Sequence, residues 1–251
     1  MKKLTTILTV LLLVTPIAFA LATIPVSEQG KLHGQAPEHS KVIGTTADGD
    51  WIIEETIIHY TKPQNPARPP KTPTCYKLMG VKWARLPVSY VINPRNLDGM
   101  EEGFVVNTLV TSAETWDSAT NSELFNNQYT VSYDVSYGAY DQKNVIDFGY
   151  GLDSNVIAVT TVWYTMRGKQ ILEFDVRFND AFTWGDATSN PAVMDLQNIA
   201  THELGHSVGM DDIYTDSCSA VTMYGFGTEG ETQKRTLEQP DITGLQKLYG
   251  V

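Results

Sequence analysis

After its first two dozen residues the sequence has no run apolar enough to cross a bilayer as a helix, so no stable membrane span is expected once that leader is gone. It has no internal repeat, which excludes solenoids and propellers. Basic residues are outnumbered, 18 against 29 acidic. A surface of that sign repels phosphate backbones, and nucleic acid is excluded as an expected partner. Cysteine is nearly absent, with two in 251 residues, so a disulfide-dense scaffold and a cysteine-built zinc module are both out of reach. Histidine is scarce as well: five in all, and only two after residue 60.

What is present begins with a leader. Lys2 and Lys3 precede an uncharged stretch from Leu4 to Ala22 with small residues at Ala18, Ala20 and Ala22. A basic start, an apolar middle and a small-residue end form the pattern of a secretory signal peptide over residues 1–22. The competing reading is an uncleaved anchor, weakened by four threonines and Pro16 inside the stretch. Cleavage removes two lysines and no acid, leaving 16 basic against 29 acidic residues, a net charge of −13. A secreted, extracellular location follows. There, Cys75 and Cys218 are expected to pair, closing a loop worth at most about 5 kcal/mol in the chain-entropy account.

Residues 62–74, KPQNPARPPKTPT, hold five prolines in thirteen positions and read as an extended linker. A boundary there separates an N-terminal extension, 23–74, from a main domain, 75–251. Within the extension, WIIEETIIHY (51–60) reads as a strand. In the main domain, strands are expected at 86–94, 130–138, 144–151, 155–165 and 171–179. A helix is expected over 101–120, where Val105, Leu109, Ala113 and Trp116 form one apolar stripe. The order predicts an α+β fold, a sheet backed by two long helices.

The chemistry concentrates in THELGHSVGMDD, residues 201–212. From Asp195, a plausible N-cap, Leu196, Ile199, Leu204 and Val208 recur at helical spacing. His202 and His206 are then one turn apart on one face and can bind one metal ion. Glu203, rotated by about 100°, can stand beside the metal without ligating it. Gly209 permits a sharp turn at the helix end. Asp212 can then return as a third ligand, leaving a position for water as catalytic zinc sites do. No other histidine lies within 75–251, so a third ligand from that segment must be of another type. Asp211 is the adjacent rival, and Asp212 could be a simple turn residue. By itself HExxH also occurs as a charged helix face; here the glycine, the aspartate and the apolar spacing accompany it.

HELGHSVGMDD followed by SAVTMYG (219–225) resembles the metzincin zinc endopeptidases, and among them the matrixins. DVRFND (175–180), DLQNIATHELGH and QPDITGLQKLYG (239–250) extend the resemblance over most of 75–251. It implies a zincin-like twisted mixed sheet with an active-site helix, a methionine turn and a C-terminal helix. It implies one catalytic Zn2+ on His202, His206 and Asp212, with Glu203 as general base and Met223 as an apolar floor under the metal. Matrixins proper carry His as third ligand; Asp is found in snapalysin-like members. A carboxylate there lowers the charge of the centre and makes a bound water less acidic, which alters the pH–rate profile. The family's structural zinc site uses histidines and is not expected here. Calcium sites need only oxygen ligands, and none is assigned. Tyr224 is expected to pack in the core.

The implied activity is hydrolysis of peptide bonds in protein or peptide substrates. An extended substrate is expected to pair with an exposed edge strand, VIAVTTVWY (156–164). Residues 225–239 are expected to line the primary specificity pocket. With the last helix ending near Val251, no appended domain is expected. Two alternatives stay open. Residues 23–74 could be a propeptide whose Cys75 thiolate caps the metal, although TPTCYKLMG lacks the arginine-rich signature of the matrixin switch. The chain could also be a non-catalytic secreted zinc-containing binding module.

Overall fold

A computed structural model describes residues 39–62 and 74–251. They belong to one compact unit, Ala36–Val251. The leader, 1–22, lies outside the described residues, as does most of the proline-rich run.

The element order is β1 (Ser40–Thr45), β2 (Trp51–Thr61), β3 (Lys77–Leu78), β4 (Lys82–Trp83), β5 (Val91–Ile92) and α1 (Glu102–Asp117). Then come β6 (Thr130–Val131), β7 (Val145–Gly149), β8 (Val156–Thr165), β9 (Gln170–Asn179), β10 (Trp184–Gly185) and β11 (Met194–Asp195). The chain closes with α2 (Leu196–Ser207), β12 (Met210–Asp211), β13 (Phe226–Gly227) and α3 (Gln239–Tyr249). The main sheet runs β1-β2-β8-β9-β7-β5-β6, with β4 on β9 and β13 on β2. β6, β5, β7 and β9 are parallel, and β8 is antiparallel to β9. The fold is α+β, a mixed sheet backed by helices, as expected.

The helices dock by their apolar stripes. Val105, Leu109, Ala113 and Trp116 of α1 are all buried. The Trp116 indole N–H donates to the Thr201 carbonyl at 2.7 Å, tying α1 to α2 with a polar bond inside an apolar contact. Asp195 caps α2 by accepting from the Asn198 N–H at 2.8 Å. The Arg235 guanidinium donates to both oxygens of the Asp195 carboxylate. Cys75 and Cys218 form the expected disulfide across 143 positions.

Besides the run at 86–94, which forms a strand only at Val91–Ile92, two expectations need correction. The alternation at 130–138 yields a strand only at Thr130–Val131. Past it, backbone N–H groups are taken by carboxylates of β7 and β9. Asp147 accepts from Tyr137, Asp175 from Gly138 and Val145, and Glu173 from Asp141 and Gln142. A backbone donor spent on a side chain cannot join a ladder. The second correction concerns β8, expected as an exposed edge. All ten of its residues are buried, because β2 lies along it. The proline-rich run thus separates β1 and β2 from the rest in sequence but not in the sheet.

Candidate metal centre

Helical pitch places the two histidines. Their Nε2 atoms stand 3.1 Å apart, and both rings are fully buried. Each Nδ1 faces a backbone carbonyl: His202 that of Thr222 at 2.8 Å, His206 that of Met210 at 3.0 Å. A carbonyl only accepts, so each Nδ1 carries the proton and each Nε2 presents a lone pair.

Gly209 ends α2 at φ +93°, where a Cβ would meet the Val81 carbonyl oxygen at 2.3 Å. β12 then pairs with β3, and the chain turns back. Asp212 Oδ1 arrives 3.2 Å from His202 Nε2 and 3.6 Å from His206 Nε2, buried and without a hydrogen-bond donor. Its other oxygen, Oδ2, accepts from the Tyr214 hydroxyl at 2.7 Å. Asp211, the rival, pairs instead with Lys77 Nζ at 2.7 Å.

Three acceptor atoms therefore converge in a buried space with no proton between them. Among neutral groups that arrangement is repulsive and costly. A cation resolves it, and two imidazole nitrogens with one carboxylate oxygen suit zinc. The pocket also favours positive charge. Burial pushes the His202 pKa down, yet Asp212 and Glu203 outweigh it and the net shift is upward. Burial pushes Asp212 up, yet His206, His202 and the Tyr214 hydroxyl hold it below the usual carboxylate range.

Glu203 sits beside this set. Its Oε2 accepts from the Thr160 hydroxyl at 2.6 Å, and burial raises its pKa. Its Oε1 lies 3.2 Å from Nδ1 of His59. His59 stood outside the sequence expectation, because it precedes the proline-rich run. The structure brings it to the centre, its ring 3.9 Å from that of His202. Its pKa falls well below the usual range, through burial and then the neighbouring His202.

Met223 packs beneath the helix. A Cβ on Gly205 would meet its Sδ at 2.3 Å, so only glycine admits this approach. The turn is held from α3. The buried Asp241 carboxylate accepts from the N–H groups of Thr222, Met223 and Glu238, the last as part of a capping box. It thereby fixes the carbonyl that orients His202. Tyr224 packs in the core as expected, its hydroxyl donating to Asp216 at 2.9 Å. Within 225–239, Lys234 is fully buried and donates to the Phe226 carbonyl at 2.7 Å. Burial lowers its pKa.

The roles of Thr160, Tyr214, Lys234 and Asp241 were not visible in the sequence. Only Asp241 had a local signal, three residues after Glu238 at the start of a helical pattern.

The matrixin family signature matches residues 82–250. The chain is 25% identical over 173 residues to a hatching enzyme of Paracentrotus lividus, covering 68% of this chain and 27% of that protein. It is 38% identical over 76 residues to human matrilysin, covering 30% of this chain and 27% of the relative. Human neutrophil collagenase is 25% identical over 171 residues, 68% of this chain and 34% of the relative. The chain thus spans about a quarter to a third of the length of these three curated relatives.

Proposed function

The chain belongs to the matrixin family of zinc metalloendopeptidases, and on that premise we propose that it is a secreted endopeptidase acting on protein or peptide substrates. His202, His206 and Asp212 hold the zinc, and Glu203 is the general base and acid. The observation that carries this reading is the convergence of three buried acceptors with no donor among them.

Zinc bound there would polarise the scissile carbonyl and acidify an attacking water. The rest is the work of the chain. The Thr222 and Met210 carbonyls hold the imidazoles in one tautomer. Tyr214 takes one oxygen of Asp212, so the other is aimed inward. Thr160 anchors Oε2 of Glu203, leaving Oε1 to accept a proton and later return it to the leaving amine. The raised pKa of Glu203 suits a group that must do both. Residues 1–22 and the Cys75–Cys218 bridge support secretion, since such bridges persist in oxidising compartments. No helix among the described residues is long and apolar enough to cross a membrane.

A non-catalytic zinc module is the weaker reading. Glu203 is inside the centre but outside the three-acceptor set, a position a purely structural site does not need. Metal analysis alongside cleavage of a mixed peptide library tests the proposal. The chain is expected to hold one zinc. Glu203→Ala should keep it and cut more slowly by about 10²–10⁴-fold. Equal cleavage by both would end this mechanism.

A further inference from the structure

Three parallel strands of the main sheet end together. β5, β7 and β9 are neighbours that run in one direction, so Asn93, Tyr150 and Asp180 leave the sheet at the same end. A crevice beyond the carboxyl ends of parallel strands is where open sheets of this kind bind ligands. Here these residues line a cavity of about 460 Å³, within the size range of small-ligand sites. Two further lining residues, Asp147 and Arg177, stand opposite each other on β7 and β9. They lie on the face of the sheet turned away from the metal centre. Thr160 of β8 points to Glu203, so its neighbour Val159 points the other way, and so does Arg177, the partner of Val159.

Two of the charges in this cavity cancel. The Arg177 guanidinium donates to both oxygens of Asp147, at 2.9 and 2.6 Å. Asp180 has no such bond. Its N–H is fixed to the Gly149 carbonyl at 3.0 Å, while its Oδ1 is buried with no hydrogen-bond donor among the described residues. Burial raises its pKa, Asp98 and Asp147 add to this, and Arg177 opposes. A buried acceptor without a donor is costly unless a ligand supplies one. The walls are aromatic where they meet water. Tyr150 is 64% exposed, and Leu97 and Tyr133 are exposed in the same lining. The Tyr133 ring already carries one guanidinium, that of Arg95 at 5.8 Å, and its hydroxyl is tied to Glu102. With Arg177 and Asp147 spent on each other, Asp134 and Asp180 remain against Arg95, which disfavours an anion. A cation with a flat apolar face fits. Guanidinium is the better match, because it stacks on aromatic rings and donates to a carboxylate at once.

We propose that this cavity is an accessory binding site for an arginine side chain of a protein substrate, with the guanidinium on Asp180 and the stem against Tyr150. The surplus of acid in the chain, 29 residues against 18 basic, draws basic proteins toward it. That the arginine belongs to a substrate rests on the zinc endopeptidase reading above; binding of the side chain does not. Asp147 and Arg177 lie on the opposite face of the sheet from Glu203, so the substrate is held at a point remote from the bond that is cut.

The test titrates the isotope-labelled full chain with N-acetyl-arginine amide and follows amide NMR shifts. The neutral isostere, N-acetyl-citrulline amide, is the control. The arginine probe is expected to shift the amides of 93–97, 133–136, 147–150 and 177–180 saturably, while those of 201–212 stay in place. The citrulline probe should bind about ten-fold more weakly, the equivalent of one lost charged hydrogen bond. Asp180→Asn should weaken the arginine probe by about the same factor. Tyr150→Ala, at an exposed ring whose loss leaves the core intact, should weaken it by about three-fold. Arg95→Gln, which removes the competing cation, should bind it at least as tightly. Equal binding of the two probes would overturn the site. So would arginine binding that neither Asp180→Asn nor Tyr150→Ala weakens, or a response to calcium chloride with none to arginine. If Asp180→Asn does not fold, the citrulline comparison and Tyr150→Ala decide. In the mixed peptide library, the unaltered chain should prefer peptides with an arginine several residues from the cleaved bond, and Asp180→Asn should lose that preference. No preference, with arginine binding intact, would overturn the assignment to a substrate. If the chain cuts no peptide at all, the endopeptidase reading fails, and the titration still decides whether the site exists.

Discussion

Removing the hydroxyl of Tyr214 tests how Asp212 is aimed. Tyr214→Phe deletes one donor 2.7 Å from Oδ2 of a carboxylate that is only 3% exposed. The ring should stay in place, since it packs edge-on against Phe226 at 5.1 Å. A hydrogen bond to a charged group contributes about 1.5–3 kcal/mol. The Tyr214 ring is half exposed, so water can replace part of the lost bond, and the lower end of that range applies. About 1.4 kcal/mol corresponds to ten-fold in an equilibrium constant. Outer-shell partners of metal ligands typically cost 10–100-fold in affinity when removed, which brackets the same value. The expected result is zinc binding weaker by about ten-fold, read by competition against a chelator at neutral pH. Unfolding of the metal-free chain should lose no more than about the same increment, because the bond is already formed there. Zinc affinity within two-fold of the unaltered chain would show that Asp212 is aimed by the turn after Gly209 alone. The reasoning about this pair would then be wrong.

Gly205→Ala adds a methyl 2.3 Å from Met223 Sδ and 2.6 Å from the Trp116 ring. Overpacking of this kind costs about 1–3 kcal/mol, more than the helix propensity gained, so the melting temperature should fall by several degrees. An unchanged or higher melting temperature would mean that the methionine turn yields freely. Burial, with neighbouring acids adding to it, raises the Asp175 pKa to about 8 and that of Glu173 to about 7. Both exceed the unfolded values near 4, so the stability they contribute is complete at low pH and is lost as pH rises through the folded values. Denaturant unfolding of the zinc-saturated chain should therefore weaken from pH 6 to 8, and Asp175→Asn should flatten the trend. A slope that is the same in both chains would remove Asp175 from the account.

The centre and the fold were legible to different depths. The two histidines, the glycine turn and the returning aspartate stand within eleven residues, where helical pitch and one φ-permissive glycine fix relative positions. The same holds for the Asp195 cap and the α1 stripe, which are local periodic signals. The segment 132–138 was misread because alternation reports which residues could face a core. It does not report which backbone donors a carboxylate of β9 will take. His59 was missed for the same reason at longer range. It meets Glu203 across 144 positions, and no spacing rule spans that distance.

The sequence by itself determined a helix with two histidines one turn apart, its flanking turn, the cysteine pair and the family, because each rests on short-range geometry or on a motif that is contiguous in the chain. Only the tertiary structure decided that β2 lies on β8, that Tyr214 and Asp241 orient the centre from outside it, and that a histidine from before the proline-rich run faces the proposed base. Such contacts arise when the sheet and helices pack, and packing joins residues by the surfaces they bury, whatever their separation along the chain.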